Sequence, residues 1–164
     1  MENQPDLEFQ RVLENIRSHF DFLFQRDYRI VSLMFTDPGN QNWVVVLTSE
    51  NCLIKIHCRN RKIRLGLSSV QLFSQMGLFD LHELIHLTCR EVRLPQTPEK
   101  KLPDESEQLR TTAELLEQHM DEILMLFHRI YLGISFNRAG QLFKDNSPVF
   151  LFYGTDQVAH VAQA

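Results

Sequence analysis

Residues 28 to 67 impose the strongest constraint on the fold, because four extended segments follow one another there with room only for tight turns between them. Tyr28 to Thr36 is rich in β-branched and aromatic residues and runs into Asp37-Pro38-Gly39-Asn40, where proline fixes φ and glycine accepts a positive one. Trp43-Val44-Val45-Val46-Leu47 is almost continuously apolar, as in a central strand covered on both faces, and Thr48-Ser49-Glu50-Asn51 supplies the next reversal. Cys52 to Cys58 alternates, with Ile54, Ile56 and Cys58 on one face and Lys55 and His57 on the other. Arg59-Asn60-Arg61-Lys62 then turns into the alternating run Ile63 to Leu67. Connections this short exclude crossovers, so the four strands form an antiparallel meander.

Helical periodicity flanks the sheet. From Leu7 to Phe24 the residues Phe9, Val12, Leu13, Ile16, Phe20 and Leu23 recur at steps of three and four, which predicts one amphipathic helix over 7–24. Phe79 to Arg90 returns to helical spacing through Leu81, Leu84, Ile85 and Thr88. Leu94 to Pro103 holds three prolines and reads as a linker. Asp104 with Glu107 three residues later is a capping box, after which Leu109, Ala113, Leu116, Met120, Ile123, Leu124 and Phe127 hold one face for about five turns. Residues 136–164 form an aromatic C-terminal extension, in which Pro148 to Tyr153 reads as a strand or docked arm and Asp156 to Ala164 as a frayed tail. With 164 residues, one domain spanning 1–164 is expected. Its class is α+β: an N-terminal helix, a four-stranded antiparallel meander, and helices packed on one face of the sheet, with 79–130 the helical part.

The charge balance, 17 Lys and Arg against 21 Asp and Glu, gives −4, which disfavours a chain bound mainly to phosphate backbones. Cys52, Cys58 and Cys89 show no CxxC spacing and fall in apolar or alternating segments, as buried reduced thiols do. The opening MENQPDLEFQ lacks the basic start and apolar run of a secretory signal, and no apolar run approaches a bilayer span. A cytoplasmic location is expected, away from the membrane.

His82-Glu83-Leu84-Ile85-His86 matches the zinc-protease pattern HExxH, in which two histidines share a helical face and the glutamate activates a metal-bound water. In this reading His82 and His86 are zinc ligands, Glu83 is the general base, and a small zinc-dependent hydrolase results. Against it, charged Asp80 and polar Thr88 occupy flanking positions where zincins prefer uncharged and apolar residues. Cys89 stands where the extended motif has glycine. A third ligand has to come from elsewhere, with Glu107, Glu114 or Glu117 as candidates, and the alternative is an ordinary helix with Leu81, Leu84 and Ile85 in the core.

Arg59, Arg61, Lys62 and Arg64 form a basic cluster around the last hairpin, whose ordinary reading is a solvated tip; the main functional rival is an acidic partner protein, and nucleic acid or another polyanion is the weaker alternative. No aromatic residue interleaves with them between Trp43 and Phe73, so base stacking finds no platform. Phe150, Phe152 and Tyr153, if exposed, would add a second partner-binding edge. The segments FDFLFQRDYRI, NWVVVL, CLIKI, RKIRL, LFDLHELIHL and EQLRTTAELLEQHMDEILMLF, in this order, resemble a group of small uncharacterised bacterial α+β proteins over residues 7–128. The resemblance implies an aromatic-Asp-Leu helix after the sheet with no obligatory HExxH, and brings no activity with it. The expectation is therefore a non-enzymatic cytoplasmic protein-binding module without a cofactor, of immunity or antitoxin type or a subunit of a larger assembly. Its expected partner is another protein.

Overall fold

The computed structural model describes residues 4–37, 42–88 and 103–131. The elements in chain order are α1 (Gln4–His19), α2 (Asp21–Gln25), β1 (Arg29–Asp37), β2 (Asn42–Thr48), β3 (Cys52–Arg59), β4 (Lys62–Ser69), α3 (Val70–Met76), β5 (Phe79–Asp80), α4 (Leu81–Thr88) and α5 (Glu105–Tyr131). The α+β expectation holds. All strands pair antiparallel in the order β1-β2-β3-β4-β5. Cys89, residues 94–102 of the expected linker, and Phe150, Phe152 and Tyr153 lie outside the described residues, as does most of the turn after β1.

Register explains the core. Trp43 pairs with Cys58, Val45 with Ile56 and Leu47 with Ile54, while Ile56 pairs with Leu65 and Ile54 with Leu67. Directly paired residues point to the same side, so these side chains form one apolar sheet face. The helices cover it with Val12, Ile16 and Phe20 from the N-terminal segment, Leu81, Leu84 and Ile85 from α4, and Leu109, Leu116, Met120 and Phe127 from α5. At roughly 25 cal/mol per Å² of buried apolar surface, this shared burial is the main force holding helices to sheet. The Phe79 and Phe127 rings meet at 5.9 Å between centroids, tilted by 35°, and join β5 to α5.

Several expectations need correction. The single helix over 7–24 is two helices broken at Phe20, whose backbone leaves the helical region at φ −109° and ψ 29° while its side chain stays fully buried. The bend lets Phe20 and Leu23 both reach the core, where Phe9, on the expected apolar face, remains exposed. A fifth strand precedes α4, because Asp80 and Phe79 pair with Gly66 and Leu67 before the helix begins. The helix α3 follows β4 directly, capped by the Ser69 hydroxyl, which accepts from the Leu72 N–H at 3.2 Å, and closed by Gly77 at φ 72°. On the far face of the sheet Val46, Leu53 and Leu78 form a second buried cluster with Phe73 of α3 packed against it, so β2 is covered on both faces as its apolar run requires.

Two details set the sheet's shape. Along β1 the register with β2 slips between Ile30 and Ser32 and again between Phe35 and Asp37, so β1 carries two bulges that sharpen its twist. Asp104 caps α5 as its sequence pattern requires, its carboxylate accepting the Glu107 N–H at 2.8 Å and its carbonyl the Gln108 N–H at 3.0 Å.

Candidate functional site

Register decides where the basic residues go. Arg59 pairs with Lys62, His57 with Arg64 and Lys55 with Gly66, so Lys55, His57, Arg59, Lys62 and Arg64 all lie on the sheet face opposite Ile54, Ile56 and Leu65. Arg59, Lys62 and Arg64 are exposed, and Arg61 is exposed in the turn itself. Lys55 and His57 are only 4% and 5% exposed, so these two polar residues of β3 are buried rather than solvated. Three successive rungs of the β3–β4 ladder thus carry a basic stripe, open at the hairpin end and buried toward the middle of the sheet.

Electrostatics confirm the convergence. Burial lowers the His57 imidazole to about 4, and Lys55, Arg64 and Arg59 push it the same way, while Asp80 opposes them. The ring is neutral at pH 7. Burial also lowers the Lys55 ammonium below its ordinary value.

The hairpin that presents the stripe is held on both sides. Asn60 and Arg61 take left-handed backbone with φ of 51° and 61°, the two-residue turn that matches the twist of the flanking strands. The Asn60 N–H donates to the Asn42 side-chain oxygen at 2.9 Å, which ties the turn to β2. From the other side, Gln108 of α5 accepts the Ile63 N–H at 3.0 Å and donates its amide to the Arg61 and Pro103 carbonyls, each at 2.8 Å. One side chain therefore locks the hairpin to the first turn of the longest helix.

The HELIH segment has a different character. Asp80 caps α4 by accepting the His82 N–H at 2.8 Å, and its carboxylate lies 3.5 Å from His82 Nδ1. Burial alone would raise the Asp80 carboxyl, but hydrogen bonds from the His82 ring and from the His82 and Glu83 amides outweigh it and hold the carboxyl below its ordinary value. His82, Glu83 and His86 are exposed, whereas Leu81, Leu84 and Ile85 fill the core. Glu107 and Glu114 flank Arg110 at 3.8 and 3.9 Å. Among the described residues, no three His, Cys, Asp or Glu side chains come together in a way that could hold a metal ion.

Elsewhere, a cleft of about 740 Å³ opens between the turn before β1 and the turn after β2, lined among others by Arg26, Asp27, Arg29, Glu50 and Leu124. Its charges balance, and Arg26 is engaged by Asp121 at 2.7 Å. Cys52 and Cys58 are buried free thiols, both pushed up to about 11 by burial and so protonated at neutral pH, which leaves them inert as nucleophiles.

Of the residues singled out from sequence, the structure brings together Arg59, Lys62 and Arg64 on one face and sets Arg61 at the tip. It adds Lys55 and His57, which the sequence placed on the face opposite Ile54 and Ile56 without assigning them to a site. The signal was present: positions 55, 57 and 59 and positions 62 and 64 are basic or imidazole at every second residue. Among the described residues, no helix is long and apolar enough to cross a membrane. No family model, curated protein or solved structure matches the chain.

Proposed function

We propose that this chain is a non-enzymatic cytoplasmic protein-binding module, paired with its partner in the manner of an immunity protein or antitoxin or built into a larger assembly, and that it recognises an acidic surface through the β3–β4 hairpin. One observation carries this reading: three exposed cations share a face of a hairpin whose turn is tied to Asn42 and Gln108, on a chain whose net charge is −4. A preorganised charged surface spends little ordering entropy on binding, and a local positive patch on an acidic protein steers and orients an acidic partner. Protein is favoured over nucleic acid because the overall charge is negative and no aromatic side chain interleaves with the cations. The buried thiols suit a reducing compartment.

The test is affinity capture from native lysate by the wild-type chain and by the triple variant Arg59→Glu/Lys62→Glu/Arg64→Glu, at low and high salt. A stoichiometric protein held by the wild type, released by salt and lost by the variant is expected. A partner retained equally by the variant would move the interface off the hairpin, and nuclease-sensitive retention would replace protein by nucleic acid.

A further inference from the structure

Resting on that reading, the geometry points to a narrower ligand: an extended acidic segment in which two carboxylates stand two residues apart, laid lengthwise along β3 and β4. Lys62 and Arg64 lie on one strand face two residues apart, a separation of roughly 6.6–6.8 Å along the strand. Side chains on one side of an extended peptide recur at that same interval. The first carboxylate meets Lys62 together with Arg59, directly across the ladder, where paired Cβ atoms stand about 5 Å apart and two cations can share one anion. The second meets Arg64, the planar fork best shaped to grip a carboxylate with two parallel hydrogen bonds.

The structure also sets where the motif ends. One rung past Arg64 the stripe is buried, with Lys55 paired to Gly66, and Gly66 is paired in turn to Asp80 on β5. Lys55 adds positive potential from beneath without being reachable, while the Asp80 carboxylate repels a third anion at that position. The recognised unit is therefore short: acidic, any residue, acidic. An extended conformation is favoured over a helix because docked helices seat an apolar stripe, and the exposed residues of this face on β3 and β4 are all cationic.

Fluorescence anisotropy on the intact chain tests this with short labelled peptides of one composition. Their two glutamates are placed two residues apart, adjacent, or four residues apart, and a single-stranded oligonucleotide of matched charge is run beside them. The peptide with glutamates two apart should bind about tenfold more tightly than the other two, the scale of one charge-assisted hydrogen bond gained or lost. Arg64→Gln and Lys62→Gln should each remove that preference, and Arg17→Gln, an exposed cation on α1, should leave it intact. Unchanged circular dichroism checks that each variant folds. Equal affinity for all three spacings, still sensitive to Arg64→Gln, would overturn the spacing rule and leave acidic-partner recognition standing. Tighter binding of the oligonucleotide than of every peptide would overturn both. Failure to bind any peptide would overturn the segment inference alone, since affinity capture decides the protein-binding reading independently.

Discussion

Replacing Gln108 by Ala removes three hydrogen bonds: two join α5 to the β3–β4 hairpin, one accepted from the Ile63 N–H and one donated to the Arg61 carbonyl, and the third, donated to the Pro103 carbonyl, ties the residues before α5 to its first turn. The bonds to Ile63 and Pro103 are part-buried, and the bond to Arg61 is exposed, where water replaces it at little cost. Counting about 1 kcal/mol for each part-buried bond and a few tenths for the exposed one gives a loss of about 2 kcal/mol. For a chain of this size that is a fall in Tm of about 4–8 °C. Gln108→Glu sharpens the test, because its carboxylate still accepts from Ile63 but faces two carbonyl oxygens with no proton to offer. It should cost at least as much as Ala. Urea unfolding followed by circular dichroism reads both variants as a lower midpoint at unchanged slope. A shift below about 0.5 kcal/mol for Ala, or a Glu variant as stable as wild type, would refute the claim that this amide locks the hairpin.

Three further outcomes follow from the structure. The folded His57 imidazole titrates near 4 against an ordinary 6.5, so the unfolded chain binds the extra proton between those values. The stability associated with neutral His57 is fully present above about pH 6.5 and is lost as pH falls toward 4; midpoints measured across that window should flatten in His57→Gln, and an unchanged slope would show that another group titrates. Asp104→Ala deletes the carboxylate that accepts the Glu107 N–H and should cost about 1 kcal/mol, read as earlier urea unfolding. Elemental analysis of natively purified chain should find no stoichiometric zinc, with His82→Ala/His86→Ala indistinguishable from wild type; about one zinc per chain, lost in that variant, would install HELIH as a metal site.

Local chemistry made much of the fold legible. The strands from Tyr28 to Leu67 were readable because turn residues and two-residue alternation agree, and α5 because a capping box precedes an apolar face that runs without interruption. What escaped was decided at a distance. The helix α3 spans seven residues, too few to establish a period, and its only local marks are Ser69 and Gly77 at either end. The two-residue strand β5 exists because β4 offers Gly66 and Leu67 as partners, a tertiary fact. The bend at Phe20 serves packing and leaves no breaker residue in the sequence. At the candidate site the cations were visible as a cluster, but their division into a face and a tip needed the register. The lock formed by Gln108 was invisible, since a glutamine in the first turn of a helix looks like any solvated residue.

The two borders of the sheet have a consequence for how this molecule behaves in a crowd. A free strand is ordinarily a template onto which another chain can polymerise, yet β1 is kinked by two bulges and β5 is only two residues long. Upstream of β5, which covers only Gly66 and Leu67, the border is β4 itself, where Gln108 already takes the Ile63 N–H, so neither border offers a long uninterrupted row of backbone donors and acceptors among the described residues. Any specific association through the described residues then falls to side chains rather than to the sheet's backbone edges.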